Sequence, residues 1–290
     1  MRHPPWDNII PMNLPRAHQG SGLALDRYGV FGHPISHSLS PKIHAMFASA
    51  TKQNLRYDRY DVAPGDFERE AHAFFERGGR GLNVTVPHKE IAAEWADDLT
   101  PRARQAGAVN TLSTLDDGRI LGDNTDGAGF MADLARLGVD IRGRRVLILG
   151  AGGATRGLLA PLRDRQPATL VIANRNADRA RELAGDQGCG YDDIGPFLAK
   201  GPFDLVVHAT SMGLEGRVPP VDPRIIGPQT FAYDIGYSKS DTPFVSWARE
   251  AGAGGTAQGL GMLIEQAAES FFIWRGIRPD TAPVHQALAA

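Results

Sequence analysis

Arg145-Val146-Leu147-Ile148-Leu149 runs directly into Gly150-Ala151-Gly152-Gly153-Ala154-Thr155, and the reading of this junction decides the fold. A continuous apolar run of strand length, without polar alternation, predicts a strand buried on both faces of a parallel sheet. The glycines predict a tight turn into a helix reaching about Arg163, whose first backbone N–H groups and dipole would converge on a pyrophosphate. The match to G-x-G-x-x-G is incomplete, because Thr155 stands at the sixth position. Thr169–Ala173, a polar helix near Asp178–Ala184, Leu205-Val206-Val207-His208-Ala209 and Phe231-Ala232-Tyr233-Asp234-Ile235 continue the alternation of strand and helix. The expectation is a doubly wound, Rossmann-like nucleotide-binding domain over residues 126–260.

Upstream, a βαβ rhythm starts with a strand at Tyr28-Gly29-Val30-Phe31-Gly32. Ser40-Pro41 then has the N-cap and N1-proline signature of a helix running through Ile43, Met46 and Phe47. A strand is expected near Leu55–Val62. A helix from Asp66 to Arg77 would place Phe67, Ala71, Phe74 and Phe75 on one face and stop at Gly78-Gly79. Gly81-Leu82-Asn83-Val84-Thr85-Val86-Pro87 reads as a short buried strand broken by proline. The last helix, Met262 to Trp274, is strongly apolar and is expected to pack back on this first domain. The α/β chain thus divides into an extension over residues 1–26, an α/β substrate-binding domain of 27–125 plus 261–290, and the dinucleotide domain between.

Composition narrows the function. The 290 residues carry 31 Lys+Arg against 33 Asp+Glu, a formal charge of −2. With no basic surplus or Lys/Arg block, neither nucleic acid nor an anionic membrane is an expected partner. A hydrophobic share of 42% and a charged share of 22% exclude disorder as the main state. The 34 glycines and 20 prolines predict many tight turns and loops against ligands. The one cysteine, Cys189, excludes an intramolecular disulfide or a multi-Cys zinc site and fits a reducing compartment. No apolar run approaches the ~20 residues that cross a bilayer, and mean hydropathy is −0.25. A cytoplasmic protein is expected. The nine histidines are scattered, so no metal is expected.

A dinucleotide fold that prefers NAD should end its second strand in Asp or Glu, to bind the ribose 2′-hydroxyl. Here Asn174-Arg175 stands there, with Arg179 one turn later. A planar donor fork and a second cation suit a 2′-phosphate and point to NADP; the plain alternative is a pair of solvated arginines. Polar clusters at strand ends of the first half include Ser36-His37-Ser38-Leu39-Ser40, Asn83-Val84-Thr85-Val86-Pro87-His88-Lys89, Gly107-Ala108-Val109-Asn110-Thr111 and Gly122-Asp123-Asn124-Thr125-Asp126-Gly127. Singly each has a structural explanation: Ser40 or Asp126 as a helix cap, Thr85 as a strand former, Asn110 as a turn residue, Lys89 as a solvated lysine.

Together the pattern resembles the shikimate dehydrogenase family. The resemblance is carried in order by Phe31-Gly32-His33-Pro34-Ile35 with His37-Ser38-Leu39-Ser40-Pro41, the Asn83–Lys89, Gly107–Thr111 and Asn124–Gly127 stretches, the glycine loop, Asn174-Arg175, and Gly259-Leu260-Gly261-Met262-Leu263 with Gln266. It covers Tyr28 to the C-terminus. It implies reversible, NADP(H)-dependent oxidation of shikimate at its 3-hydroxyl to 3-dehydroshikimate, on the route to chorismate and the aromatic amino acids. It also implies Ser38 and Ser40, with Tyr237 nearby, for the substrate carboxylate, and Thr85, Lys89, Asn110, Asp126 and Gln266 for the ring hydroxyls. Gly150, Ala151, Gly152, Gly153, Ala154, Asn174, Arg175, Arg179, Ile235 and Gly259 fall at the family's cofactor positions. Asn176 departs from the Thr common after Asn-Arg, and residues 1–26 match no part of the family.

The residue types suit that chemistry independently. A small polyol acid needs hydroxyl and amide partners for each buried ligand hydroxyl, and Ser, Thr, Asn, Gln and Tyr supply them. Hydride loss from a secondary alcohol also needs a group that takes the hydroxyl proton and one that steadies oxyanion character. Lys89 with Asp126 can do both: Lys89 is the expected acid/base and Asp126 its orienting partner, although residue type alone equally allows the reverse. The site is expected in a cleft that closes over the substrate. Competing readings are a quinate/shikimate dehydrogenase of broader substrate and cofactor use, a non-catalytic sensor on the same fold, and folate-type hydride transfer, which would want a more aromatic cleft. A homodimer is the candidate assembly.

Overall fold

The computed structural model describes residues 25–289; the expected N-terminal extension lies almost wholly outside them. The described residues divide into two compact units, 25–125 with 267–289 and 126–266.

The first unit contains β1 (Asp26–Gly32), α1 (Ser40–Thr51), β2 (Leu55–Asp61), α2 (Phe67–Glu76), β3 (Gly79–Val84), α3 (Lys89–Trp95), β4 (Asp98–Leu99), α4 (Pro101–Ala106), β5 (Thr111–Thr114) and β6 (Ile120–Asp123). Its sheet runs β2-β1-β3-β5-β6-β4. β1 pairs in parallel with β2 and β3, as a βαβ reading requires, but β5 lies antiparallel to both β3 and β6. The sheet is therefore mixed. The cause is a local hairpin: Leu115 N–H bonds Arg119 O, and Gly118 takes φ +86° in the turn after Asp116-Asp117. This inversion matters for function, since it puts the start of β5 at the same sheet end as the carboxyl ends of β1, β3 and β6. β1 begins at Asp26, ahead of the predicted Tyr28, because Asp26 is buried and bonded by Arg275 at 2.6 Å.

Phe31, Phe67, Phe74, Leu82 and Leu112 form one core face of this sheet under α2. Burying each such side chain contributes about 1.5–3 kcal/mol, which sets the register of the rim above it.

The second unit contains α5 (Asp126–Arg136), β7 (Arg145–Leu149), α6 (Gly153–Asp164), β8 (Thr169–Ala173), α7 (Ala177–Ala184), β9 (Gly188–Cys189), α8 (Gly195–Leu198), β10 (Leu205–His208), β11 (Phe231–Asp234), α9 (Pro243–Glu250) and β12 (Gly255–Gln258). All its strand pairs are parallel, in the order β9-β8-β7-β10-β11-β12. Numbered within the unit this is 3-2-1-4-5-6, the doubly wound dinucleotide order, and the reversal between β7 and β10 marks the ligand crevice. Val146, Leu147, Ile148 and Leu149 are all fully buried, as the unalternating run predicts, because layers of apolar side chains cover both faces. Cys189 is buried and free, and burial pushes its thiol up to about 11, so it is an inert packing residue.

α10 (Leu260–Arg275) crosses the boundary between the units at residues 266 and 267, and α11 (Ala282–Ala289) follows. The part of α10 from residue 267 belongs to the first unit: Trp274 Nε1 donates to Leu112 O at 3.1 Å, and Asn83 Nδ2 donates to Ser270 Oγ at 3.0 Å. No described helix is long and apolar enough to cross a membrane.

Candidate active site

In the first unit the predicted substrate residues stand along one sheet rim. Ser38 and Ser40 follow β1. Ser40 does not cap α1, as its Ser-Pro signature suggested: the capping position is Leu39, without a side-chain bond, and Ser40 is the buried first helical residue. Its hydroxyl instead joins a chain. Ser38 Oγ donates to Ser40 Oγ at 3.2 Å, Ser40 bonds the Tyr57 hydroxyl, and Tyr57 donates to Asn83 Oδ1 at 2.7 Å. Asn83 Nδ2 in turn reaches Asn110 O at 3.1 Å and Thr111 Oγ1 at 3.2 Å. Burial drives the Tyr57 phenol well above its ordinary range, so it stays a neutral donor. Arg59 Nε holds the backbone of the serine turn from outside, through Ser38 O at 2.9 Å.

Thr85 sits just past β3, its N–H on Phe31 O at 2.9 Å. A Cβ on Gly32 would come within 2.5 Å of the Thr85 methyl, so glycine at the end of β1 lets the Thr85 turn close over it. His88 is buried with Nε2 2.7 Å from Val62 O, which ties the β3–α3 loop to the end of β2. Lys89 then opens α3, half-buried, and its carbonyl accepts from Val109 N–H at 2.8 Å, one residue before Asn110. Asn110 is buried; its Oδ1 accepts Thr125 N–H at 2.8 Å and its Nδ2 donates to Thr125 Oγ1 at 2.9 Å. Asp123 ends β6 in a bidentate clamp from Arg102 at 2.6 and 2.7 Å, so the strand end leading to Asn124 and Thr125 is fixed. Ser38, Ser40, Thr85, Lys89 and Asn110 are thus brought to one rim by β1, β3 and the inverted β5.

Of the buried residues linking that rim, Asn83, Thr111 and Thr125 stood in the polar clusters of the sequence without a role, and Tyr57 and Ser270 in none of them. Their signal was a run of small polar residues on otherwise apolar strands, such as Thr111 and Ser113 in β5, both buried.

In the second unit Asp126 is the buried first residue of α5. A Cβ on Gly129, one turn on, would meet Gln266 N at 2.5 Å, so this glycine lets α5 and α10 touch at Gln266. Gly150 takes φ +117°, where a Cβ would meet Ala209 O at 2.7 Å; only glycine fits. Gly152 is the cap of α6, and a Cβ there would meet nothing within 4 Å, so the helix entrance is open for a phosphate. Thr155 earns its place in the motif by donating to Gly150 O at 2.9 Å, which closes the loop from beneath. Ala151, Gly153 and Ala154 complete that turn.

Past β8, Asn176 caps α7 through Oδ1 to Asp178 N–H at 3.0 Å, and Asn174 Nδ2 donates to Asn176 O at 2.9 Å. The departure from Thr at Asn176 therefore keeps the capping chemistry. Arg175 and Arg179 are exposed. Gly259 would clash with Ile235 O at 2.0 Å if it carried a Cβ, and its N–H donates to Gly236 O at 2.8 Å, so Ile235 and Gly259 form one backbone ledge. Tyr237 lies two residues further, half-buried. Gln258 holds the same loop, accepting Ser238 N–H at 2.8 Å and donating to Ser240 O at 2.9 Å. The open helix entrance, the glycine with positive φ and exposed cations after the second strand fit a 2′-phosphorylated dinucleotide.

Comparison with known proteins agrees with this geometry. Residues 30–112 match the shikimate dehydrogenase substrate binding domain, 133–212 the shikimate/quinate 5-dehydrogenase family, and 259–289 the shikimate 5′-dehydrogenase C-terminal domain. The shikimate dehydrogenase (NADP(+)) of Aeromonas hydrophila is 52% identical over 266 residues, covering 90% of this chain and 96% of its own. Among solved structures, an Ael1 enzyme from Pseudomonas putida superposes with a TM-score of 0.81 at 43% identity, covering 91% of this chain and 98% of its own. Shikimate 5-dehydrogenase from Thermus thermophilus, solved in complex with NADP(H) and shikimate, gives 0.80 at 31% identity, covering 91% and 99%. The chain belongs to the shikimate dehydrogenase family.

Proposed function

We propose that this chain oxidises the 3-hydroxyl of shikimate to the ketone of 3-dehydroshikimate, reversibly and with NADP as its cofactor. The observation that carries the reading is the polar rim of the first unit: Ser38, Ser40, Thr85, Lys89 and Asn110 emerge at one sheet end on a buried hydrogen-bond network. Such a rim suits a small acid whose every hydroxyl needs a partner. When bound, NADP supplies the acceptor for the hydride that leaves carbon 3. The protein must then take the hydroxyl proton, so that alcohol and oxidised cofactor become ketone, reduced cofactor and one proton.

Lys89 is the group assigned to that proton, and Asp126 the carboxylate that orients it and bonds the substrate. Ser38 and Ser40 hold the carboxylate with Tyr237, Thr85 and Asn110 hold ring hydroxyls, and Gln266 completes the set. The Gly150–Ala154 turn receives the pyrophosphate, Asn174, Arg175 and Arg179 the 2′-phosphate end, and Ile235 and Gly259 the far half of the cofactor. The cytoplasm is the compartment that fits a single buried thiol.

The test is initial rates of nicotinamide absorbance change with shikimate and quinate, each with NADP⁺ and NAD⁺. Turnover concentrated in shikimate with NADP⁺ is expected. Comparable quinate turnover would move the chain to the broader-specificity branch, and silence in all combinations would refute catalysis.

A further inference from the structure

The carboxyl ends of β10 and β11 carry a buried polar relay used by none of the roles above. His208 is fully buried and Asp234 is 2% exposed. His208 Nδ1 lies 3.0 Å from Asp234 Oδ1, and its Nε2 lies 2.7 Å from Thr210 Oγ1. Thr210 Oγ1 also accepts Met212 N–H at 3.2 Å, and Asp234 Oδ1 accepts Gly236 N–H at 2.9 Å. Because a carboxylate only accepts, Nδ1 carries the proton given to Asp234, while Nε2 faces the Thr210 hydroxyl. Asp234 Oδ2 has no hydrogen-bond partner among the described residues, which leaves His208 as the side chain donating to this carboxylate.

The relay ends on cofactor-facing backbone at both sides. Thr210 packs on the glycine loop, where a Cβ at Gly150 would meet its methyl at 3.1 Å. Asp234 immediately precedes Ile235, whose carbonyl lies against Gly259. In this strand order the two halves of a dinucleotide divide at the β7–β10 switch, so the loops after β10 and β11 serve the half carrying the nicotinamide.

We propose that Asp234, His208 and Thr210 are positioning residues for the nicotinamide half of NADP. They lock residues 209–212 and 234–236 into one preorganised ledge, so that binding does not have to order these loops. The inference rests on the NADP reading above.

The experiment separates the halves of the ligand. NADPH binding and adenosine 2′,5′-bisphosphate binding are measured by fluorescence titration on wild type, Thr210→Val, Thr210→Ser and His208→Phe, with Tm recorded for each. Thr210→Val keeps the branched shape and removes the hydroxyl; His208→Phe keeps the ring that faces Phe244 at 4.9 Å. Both should weaken NADPH about tenfold while leaving the bisphosphate within about twofold, and Thr210→Ser should bind like wild type. Unchanged NADPH binding in Thr210→Val and His208→Phe overturns the proposal. So does equal weakening of both ligands with a fall in Tm, which marks mere support of the domain, or failure of Thr210→Ser to rescue. If the wild type binds the bisphosphate but not NADPH, the positioning role fails; if it binds neither, the cofactor reading falls and the inference with it.

Discussion

At the substrate rim, Ser38, Ser40, Tyr57, Asn83 and Asn110 hydrogen-bond to one another through the interior, whereas the dinucleotide rim presents backbone at Gly150–Ala154 and exposed guanidiniums at Arg175 and Arg179. On the proposed function the difference follows from the ligands. A small polyol acid is recognised by groups that must already point the right way, and a buried network fixes their rotamers. A pyrophosphate is recognised by N–H groups at a helix entrance, which glycine exposes without any side chain, and a 2′-phosphate by cations that water can reach. Substitutions on the first rim should therefore damage chemistry and stability together or chemistry alone, while those of the exposed guanidiniums on the second should alter cofactor use and leave the fold untouched.

The largest effect is expected at Lys89. Lys89→Met keeps the length and apolar stem of a half-buried side chain and removes its proton chemistry. Losing a general acid–base group should lower kcat by about 10²–10⁴-fold, with Tm and the Kd for NADPH little changed. Turnover within a few-fold of wild type would remove Lys89 from its role. Next comes Asn83→Leu, which strips Tyr57, Thr111 and Ser270 of a buried partner at once. Each orphaned buried group costs about 1–3 kcal/mol, partly relieved by rearrangement, so urea unfolding should show a loss of about 2–4 kcal/mol. Shikimate KM should rise in parallel because Asn110 loses the same support. A stable variant with normal KM would break the claim that the rim is preorganised from behind.

How legible these two regions are in the sequence differs for physical reasons. The dinucleotide unit announces itself because a parallel strand covered on both faces has to be uniformly apolar, and a glycine at φ +117° tolerates no substitute. The substrate unit hides half its sheet. β5 and β6 are four-residue strands in which Thr111, Ser113 and Asp123 are buried beside Leu112 and Ile120, so neither an apolar run nor alternation reveals them. The Asp117-Gly118 turn between them and the Thr100-Pro101 start of α4 with Gly107 at its end, where Thr100 accepts Ala103 N–H at 3.3 Å, were the available signs. The candidate site residues were readable as a family pattern, but their connections were not: a hydrogen bond from Tyr57 on β2 to Asn83 on β3 reaches across β1, a proximity that only the tertiary fold creates.

A third effect should appear with pH. His44 on α1 stacks on Tyr57 at 4.1 Å behind the serine pair, and burial pulls its imidazole down to about 3 against a weaker opposing interaction with Asn83. The folded protein therefore keeps His44 neutral while the unfolded chain takes a proton below about pH 6.5. Stability from this group is complete above that pH and falls by about 1.4 kcal/mol for each unit as pH drops toward 3. His44→Phe preserves the aromatic stack and has nothing to titrate, so its urea stability between pH 6.5 and 4 should vary by one proton less than wild type. Equal slopes would show that the substrate rim admits water behind its serines.

The mildest change, and the sharpest separation of the rims, is Arg175→Ala. Arg175 is exposed after β8, so its removal uncovers no buried surface and Tm should stay within a degree or two. What it removes is a charge-assisted fork for the 2′-phosphate, discounted for solvent screening to about a tenfold loss in kcat/KM with NADP⁺. With NAD⁺, which has a hydroxyl where that phosphate would be, kcat/KM should stay level, so the preference narrows through loss on one side only. Shikimate KM, set by the other rim, should not move. A parallel loss with both cofactors would mean that Arg175 supports the loop rather than reading the phosphate, and the discrimination would then have to lie with Arg179 or with the Asn174–Asn176 turn that caps α7.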